Sequence, residues 1–334
     1  MNAPASASAR RFLSCDWGTS VFRLRLVEGE SRRVIAASRG EQGIAATFAA
    51  WKTAGGKSED RWSYFSRILA HHLARISEET GAALAGLPLV ISGMASSSMG
   101  MRELPYARLP LAIDGSGLSV ERVAAREDFA HPVVIISGVR SSDDVIRGEE
   151  TQLIGACTLG AAQPAAPEGI RVFIFPGTHS KHVEVRDAHA VAFRTYMTGE
   201  FFELLSAKSV LANSVKPGAE LGTPENLAGF AAGVQAGAAG NVLNAAFHVR
   251  SRALLENSAA TENYHFLSGV LIGAELRELA AADATLTLVG AGPLLAAYQH
   301  AFHVLGSRAP LPALDADDCL IAGQLTIATR LGLL

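Results

Sequence analysis

Arg11-Phe12-Leu13-Ser14-Cys15-Asp16-Trp17-Gly18-Thr19-Ser20-Val21-Phe22-Arg23-Leu24-Arg25-Leu26-Val27 holds two β-rich runs, residues 12–15 and 21–27, on either side of Asp16-Trp17-Gly18-Thr19-Ser20. The pattern predicts a strand, a tight turn and a strand. About 160 residues later, Arg171-Val172-Phe173-Ile174-Phe175, then Pro176-Gly177-Thr178-His179-Ser180-Lys181, then His182-Val183-Glu184-Val185-Arg186 repeat it. Each half of the chain therefore carries one hairpin whose turn has the size and composition to receive a phosphate.

Working outward, the apolar runs 87–91, 133–136 and 286–289 end in Ser92-Gly93, Ser137-Gly138 and Gly290-Ala291-Gly292. Buried strands that deliver loops to one sheet edge read this way. Thr223-Pro224-Glu225 supplies an N-cap, a proline at the first helical position and an acid in the first turn. It predicts one long alanine-rich helix to about residue 255, against which the glycines inside it count. Residues 264–282, 293–304 and 317–331 also read as helices. The Pro- and Ala-rich stretch 161–169 is the predicted linker. With 334 residues, two α/β domains are expected rather than one.

Composition excludes several partners. A net charge of −3 lacks the basic field that nucleic acid or an anionic membrane surface would need. No apolar run reaches the ~20 residues of a membrane span. Cys15, Cys157 and Cys319 are odd in number and far apart, which argues against disulfides and paired-cysteine zinc sites and predicts a reducing, cytoplasmic setting. Residues 1–10 read as a frayed, disordered N-terminus.

The chemistry concentrates in four places. In the Asp16 turn, Gly18, Thr19 and Ser20 bring backbone N–H groups and hydroxyls close to a phosphate, and Asp16 can hold a metal ion through water. An ordinary hairpin in which Asp16 caps the backbone would look the same. Gly177, Thr178, His179, Ser180 and Lys181 offer a second such turn, with a lysine suited to phosphate. Gly290, Ala291 and Gly292 could lie against a base or ribose, but lack the third glycine of a dinucleotide fingerprint. Asp143-Asp144-Val145-Ile146-Arg147-Gly148-Glu149-Glu150-Thr151-Gln152 is acid-rich and opens a helix. It suits either a well-capped helix or a general base for an attacking hydroxyl. The histidines His71, His72, His179 and His182 have no carboxylate partner at metal spacing.

Taken in order, Asp16-Trp17-Gly18-Thr19-Ser20, Gly93-Met94 with Pro105-Tyr106, Arg147 through Ala156, Pro176 through Lys181, Met197-Thr198-Gly199-Glu200, and Phe266-Leu267-Ser268-Gly269 followed by Leu271-Ile272-Gly273-Ala274-Glu275 resemble the 2-dehydro-3-deoxygalactonokinase family. The resemblance covers nearly the whole chain. It implies the hexokinase/actin-like fold, two RNase H-like α/β domains with an interdomain cleft. It also implies transfer of the γ-phosphate of ATP, with Mg²⁺, to the terminal hydroxyl of 2-dehydro-3-deoxy-D-galactonate in galactonate degradation. On this reading 11–160 carry the first phosphate turn and the sugar-acid site, 170–316 bind the nucleotide, and 317–334 form a terminal helix near the domain interface. Another sugar or sugar acid as acceptor, or a phosphohydrolase of the same fold, remains open, as does the oligomeric state, a homodimer included.

The resemblance also distributes roles. The Asp16 and Pro176 hairpins become the two phosphate loops and Gly290-Ala291-Gly292 the adenosine loop. The superfamily usually opens its second loop with Asp-Gly; here Pro176-Gly177 removes the acid, leaving metal handling to Asp16 and more of the phosphate contact to Lys181. Related kinases place their catalytic acid directly after a glycine, which selects Glu149 ahead of Glu150 and Asp144. Gly93 and Ser97 are expected beside the acceptor. An arginine must take its carboxylate, with Arg102, Arg140, Arg147 and Arg194 as candidates and Arg102 preferred.

Overall fold

The computed structural model describes residues 10–160, 169–218, 220–279 and 283–334. The predicted linker, apart from its last residue, and nearly all of the predicted frayed N-terminus lie outside the described residues. The chain separates into two compact units. The first takes 10–160, Ala188–Val191 and Ala316–Leu334; the second takes 169–187 and Ala192–Asp315.

The first unit runs β1 (Arg11–Trp17), β2 (Phe22–Glu28), β3 (Val34–Gly40), α1 (Ile44–Thr53), α2 (Arg61–Thr80), β4 (Leu89–Gly93), β5 (Ala107–Arg108), β6 (Leu111–Ala112), β7 (Val120–Val123), β8 (Val133–Ile136), β9 (Val139–Arg140), β10 (Val145–Ile146) and α3 (Glu149–Leu159). Its main sheet has the order β3-β2-β1-β4-β8-β7. β1 is antiparallel to β2 and parallel to β4, which is parallel to β8. Leu13, Cys15 and Trp17 of β1 pack with Phe65, Leu69 and Ile76 of α2 in one core.

In the second unit the chain forms β11 (Arg171–Phe175), β12 (Ser180–Arg186), β13 (His189–Tyr196), α4 (Thr198–Lys208), α5 (Pro224–Ala239), α6 (Val242–Leu255), α7 (Ala260–Leu276), β14 (Thr285–Gly290), α8 (Gly292–Val304) and β15 (Ala313–Asp315). α9 (Ala316–Arg330) follows and belongs to the first unit. The second sheet has the order β15-β14-β11-β12-β13, with β6 paired to His189 and Ala190, residues that segregate with the first unit. β11 is antiparallel to β12 and parallel to β14, and β14 is parallel to β15. The connectivity of the first unit is thus repeated: a central first strand, a hairpin to one side and parallel strands to the other. Two such α/β units are the RNase H-like pair of the hexokinase/actin-like fold.

The single helix expected after Thr223 is two. Thr223 caps α5 as predicted, its hydroxyl accepting from Asn226 N, but the helix stops at Gly240 and Asn241 caps α6. The glycines that counted against helix are where helices touch. A Cβ on Gly233 would fall 2.1 Å from Phe266 O, and one on Gly273 would fall 2.2 Å from Val234 O, so α5 and α7 cross backbone to backbone. The propensity cost of a helical glycine, about 1 kcal/mol, is offset by the packing it permits.

Candidate active site

Asp16 lies at the carboxyl end of β1, where the parallel strands β1 and β4 both terminate. Ligands of open α/β sheets bind at such edges. Hairpin register sets Asp16 opposite Arg23, and Arg23 Nη1 donates to Asp16 Oδ2 at 2.8 Å. Burial raises the Asp16 carboxyl above its ordinary value, with Arg23 opposing that shift. The side chain nevertheless keeps 21% exposure. Beyond the turn, Gly18 O and Thr19 O accept from Ile44 N and Ala45 N, so the loop caps α1. The side chains of Thr19 and Ser20 remain exposed. Gly93 pairs with Trp17 and has φ +87°; a Cβ there would fall 2.9 Å from Trp17 O and 3.4 Å from Asp16 Oδ1.

The start of α3 meets the same edge. Gly148 adopts φ +110°, which a side chain would strain, and the position of its missing Cβ is 3.5 Å from Gly93 Cα. The two acids that follow diverge. Glu149 is half-buried, and its Oε2 accepts from Arg147 N at 3.1 Å. Glu150 is fully buried; its oxygens accept from Gly148 N at 2.6 Å and Thr151 Oγ1 at 3.0 Å. Burial, and then the charge of Glu149, push the Glu150 carboxyl up to about 7.

That shift has a sign for stability. An acid whose folded value exceeds its unfolded value of 4.5 binds more protons when folded, so stability falls as pH rises from about 4.5 to about 7. The whole shift amounts to roughly 3 kcal/mol above that window. Glu150→Gln copies the neutral acid: its oxygen can accept from Gly148 N, and the Thr151 hydroxyl can turn to accept from its amide N–H. It is expected to be more stable than wild type at pH 8 and to lose that advantage at pH 5. Denaturant midpoints at the two pH values check this, and a difference independent of pH would refute it.

Arg147 precedes this turn. Its guanidinium stacks on Tyr106, 4.2 Å from the ring centroid, and Nη1 donates to Ser96 Oγ at 2.5 Å. Nε is buried with no hydrogen-bond partner. The preferred arginine, Arg102, is exposed and donates to Glu121 at 2.8 Å. Arg140 is exposed on β9, and Arg194 lies in the second unit, paired with Glu278. Arg147 is therefore better placed than Arg102 to receive an anion. Ser97 is buried and its hydroxyl donates to Met94 O, while Asp144 accepts from Val145 N within its own turn.

The second unit contains an open cavity of about 920 Å³ whose lining includes Gly177, Thr178, Thr198, Gly199, Pro293 and Tyr298. Its walls are mostly apolar, with Phe230, Leu271, Ile272 and Ala297 among them. A concave apolar site with a few polar groups at one end suits a small ligand. Pro293 directly follows Gly290-Ala291-Gly292, and a Cβ on Gly290 would touch Pro176 Cδ at 3.6 Å, so the Pro176 turn and the Gly290 turn adjoin. His179 Nε2 and Glu200 Oε2 pair at 2.5 Å on the surface.

Two residues expected at the phosphates are engaged within the protein. Ser180 is fully buried, and its hydroxyl donates to Glu275 Oε1 at 2.6 Å. Lys181 is buried, with Nζ donating to His179 O at 2.7 Å. The sequence reading gave no role to Thr198, Tyr298 or Glu275. The signal available for Glu275 was a lone acid in the apolar run Leu271 to Leu276, since an acid is rarely buried without partners.

Among the described residues no cluster of three or more His, Cys, Asp or Glu could hold a metal ion. Asp16, a single partly exposed carboxylate, fits a cation that arrives with nucleotide phosphates and is held through water. No described helix is long and apolar enough to cross a membrane, and Cys15, Cys157 and Cys319 are buried thiols that form no disulfide.

A family model described as 2-keto-3-deoxy-galactonokinase matches residues 16–327. A Rhizobium meliloti strain 1021 protein assigned as 2-dehydro-3-deoxygalactonokinase is 35% identical over 334 residues, covering 97% of this chain and 98% of the relative. The Escherichia coli K12 2-dehydro-3-deoxygalactonokinase is 32% identical over 327 residues, covering 95% and 97%. A crystal structure of a candidate 2-dehydro-3-deoxygalactonokinase from Sinorhizobium meliloti superposes with a TM-score of 0.76 at 32% identity, covering 96% of this chain and 99% of the other. With its two repeated α/β units and a match over nearly its full length, the chain belongs to the 2-keto-3-deoxy-galactonokinase family.

Proposed function

We propose that this protein transfers the γ-phosphate of ATP, with Mg²⁺, to the terminal hydroxyl of 2-dehydro-3-deoxy-D-galactonate, in the cytoplasm. The observation that carries the acceptor half of this reading is the meeting of Asp16, Gly93, Glu149 and Arg147 at one sheet edge of the first unit. Glu149 is the general base. Its carboxylate is oriented by Arg147 N and takes the proton of the attacking hydroxyl. Arg147 receives the acceptor's carboxylate; stacking on Tyr106 and the bond to Ser96 hold its guanidinium in one plane, and the buried Nε supplies a donor that awaits an acceptor. Asp16 orients the metal through water. When bound, Mg²⁺ neutralises charge that develops on the transferred phosphoryl group. In the second unit, the apolar cavity takes the adenosine, and the backbone of Gly177, Thr178 and Gly199 faces the phosphates.

An ATP-consumption screen over 2-keto-3-deoxy acids and neutral hexoses tests this. The expected result is strong stimulation by 2-dehydro-3-deoxy-D-galactonate and little by hexoses. Turnover that ignores every acceptor would mark a hydrolase, and preference for a neutral hexose would overturn the substrate assignment. Arg147→Ala is expected to raise the acceptor KM by about tenfold or more, the scale of a lost charged hydrogen bond, with the KM for ATP little changed. An unchanged acceptor KM would move carboxylate recognition to another group.

A further inference from the structure

Glu275, in the last turn of α7, takes no part in the steps above, yet it is the most heavily engaged carboxylate among the described residues of the second unit. Its side chain is 1% exposed. Oε1 accepts from Ser180 Oγ at 2.6 Å and faces His182 Nε2 at 2.8 Å. Oε2 accepts from Tyr298 OH at 2.7 Å and from Thr198 Oγ1. An ion in so apolar a helix is tolerated only when its lone pairs are filled, and here four donors fill them.

Those donors come from three elements around the cavity. Ser180 and His182 begin β12, directly after the second phosphate turn; Thr198 is the first residue of α4; Tyr298 belongs to α8. Thr198 and Tyr298 line the cavity. The contact continues beyond them, because a Cβ on Gly199 would fall 2.7 Å from Gly177 O, and Glu200 N donates to Thr178 O at 3.0 Å. A displacement of Thr198 must therefore carry Gly199 and the Gly177-Thr178 backbone with it.

We propose that Glu275 is a positioning residue for the nucleotide, holding the second phosphate turn, the start of α4 and one wall of the cavity in a single arrangement. The inference rests on the nucleotide reading of that cavity. Charge is needed because a carboxylate is acceptor-only at both oxygens, whereas an amide of the same shape has one acceptor and presents donors at the other end. In Glu275→Gln one of the two donor pairs meets an N–H group and must reorient.

The test uses the full-length protein and measures kcat, both KM values and the Kd of a non-hydrolysable ATP analogue. Glu275→Gln is expected to raise the ATP KM and the analogue Kd by about tenfold, the scale of donors left unsatisfied in a buried site. The acceptor KM should stay within about twofold, the signature of an effect confined to one substrate. Thr198→Val and Tyr298→Phe each remove one donor and should shift ATP binding the same way by a few fold, which decides the matter if Glu275→Gln does not fold. Unchanged ATP affinity in the folded variants, or equal loss for both substrates, overturns the proposal. Ser268→Phe, which projects a ring from the wall into the cavity, separates the two readings. If it leaves ATP affinity intact, the cavity does not hold the nucleotide and both readings fall. If it abolishes ATP binding while Glu275→Gln, Thr198→Val and Tyr298→Phe do not change it, only the positioning role falls.

Discussion

Glu149→Gln is expected to lower kcat by about 10²–10⁴-fold, the usual contribution of general-base catalysis, while ATP affinity stays near wild type. The amide keeps the length and planarity of the side chain, and its oxygen can still accept from Arg147 N. What is lost is the capacity to take a proton. Glu150→Gln provides the contrast. Glu150 has no exposed surface and spends its oxygens on Gly148 N and Thr151, so its neutralisation should change kcat by only a few fold. Glu150 does have a carboxyl pushed up to about 7, a value well suited to a general base. Geometry decides against it, since a base must reach the hydroxyl it deprotonates. Single-turnover rates of the two variants with saturating ATP distinguish the residues. A crippled Glu150→Gln beside an active Glu149→Gln would reverse the assignment.

Asp16→Asn is expected to lower kcat by about 10²–10³-fold, the scale seen when a preorganised electrostatic contact to the transition state is removed. The alternative is that Asp16 serves only the hairpin, through its pair with Arg23. Magnitude separates the two. A partly exposed ion pair is worth about 0–1 kcal/mol of stability, so a structural role predicts a small drop in melting temperature and near-normal turnover. The metal role predicts a folded protein that stays slow at saturating ATP and excess Mg²⁺. Turnover within about threefold of wild type, too small for lost electrostatic catalysis, would reduce Asp16 to a hairpin residue.

Much of the architecture was legible because it rests on local patterns. Both hairpins, the strands that end in glycine turns, and the Thr223 cap follow from alternation, turn chemistry and capping, and they appear at or within a few residues of the expected positions. The pairing of Asp16 with Arg23 follows from hairpin register alone. The break at Gly240 was not legible. Glycines inside α5 and at its end look alike in sequence, and only the approach of α7 shows that Gly233 serves a helix crossing.

The site divides along the same line. The sequence by itself determined the two turns, the acid pair behind Gly148 and a short set of arginines, because residue type and spacing restrict what chemistry a loop can perform. Tertiary structure decided which member of each set faces which partner. Glu149 and Glu150 are neighbours on a helix, about 100° apart, and only the packing of α3 buries one and leaves the other accessible. Arg147 and Arg102 are equivalent by residue type, but Tyr106 and Ser96, distant in sequence, hold the Arg147 guanidinium, while Arg102 pairs with Glu121. The Ser180 hydroxyl donates its hydrogen bond to Glu275, 95 residues further on, a partner that the turn sequence does not reveal. A hydroxyl or a guanidinium bonds to whatever the fold brings within about 3 Å, and that neighbour is set by the path of the whole chain.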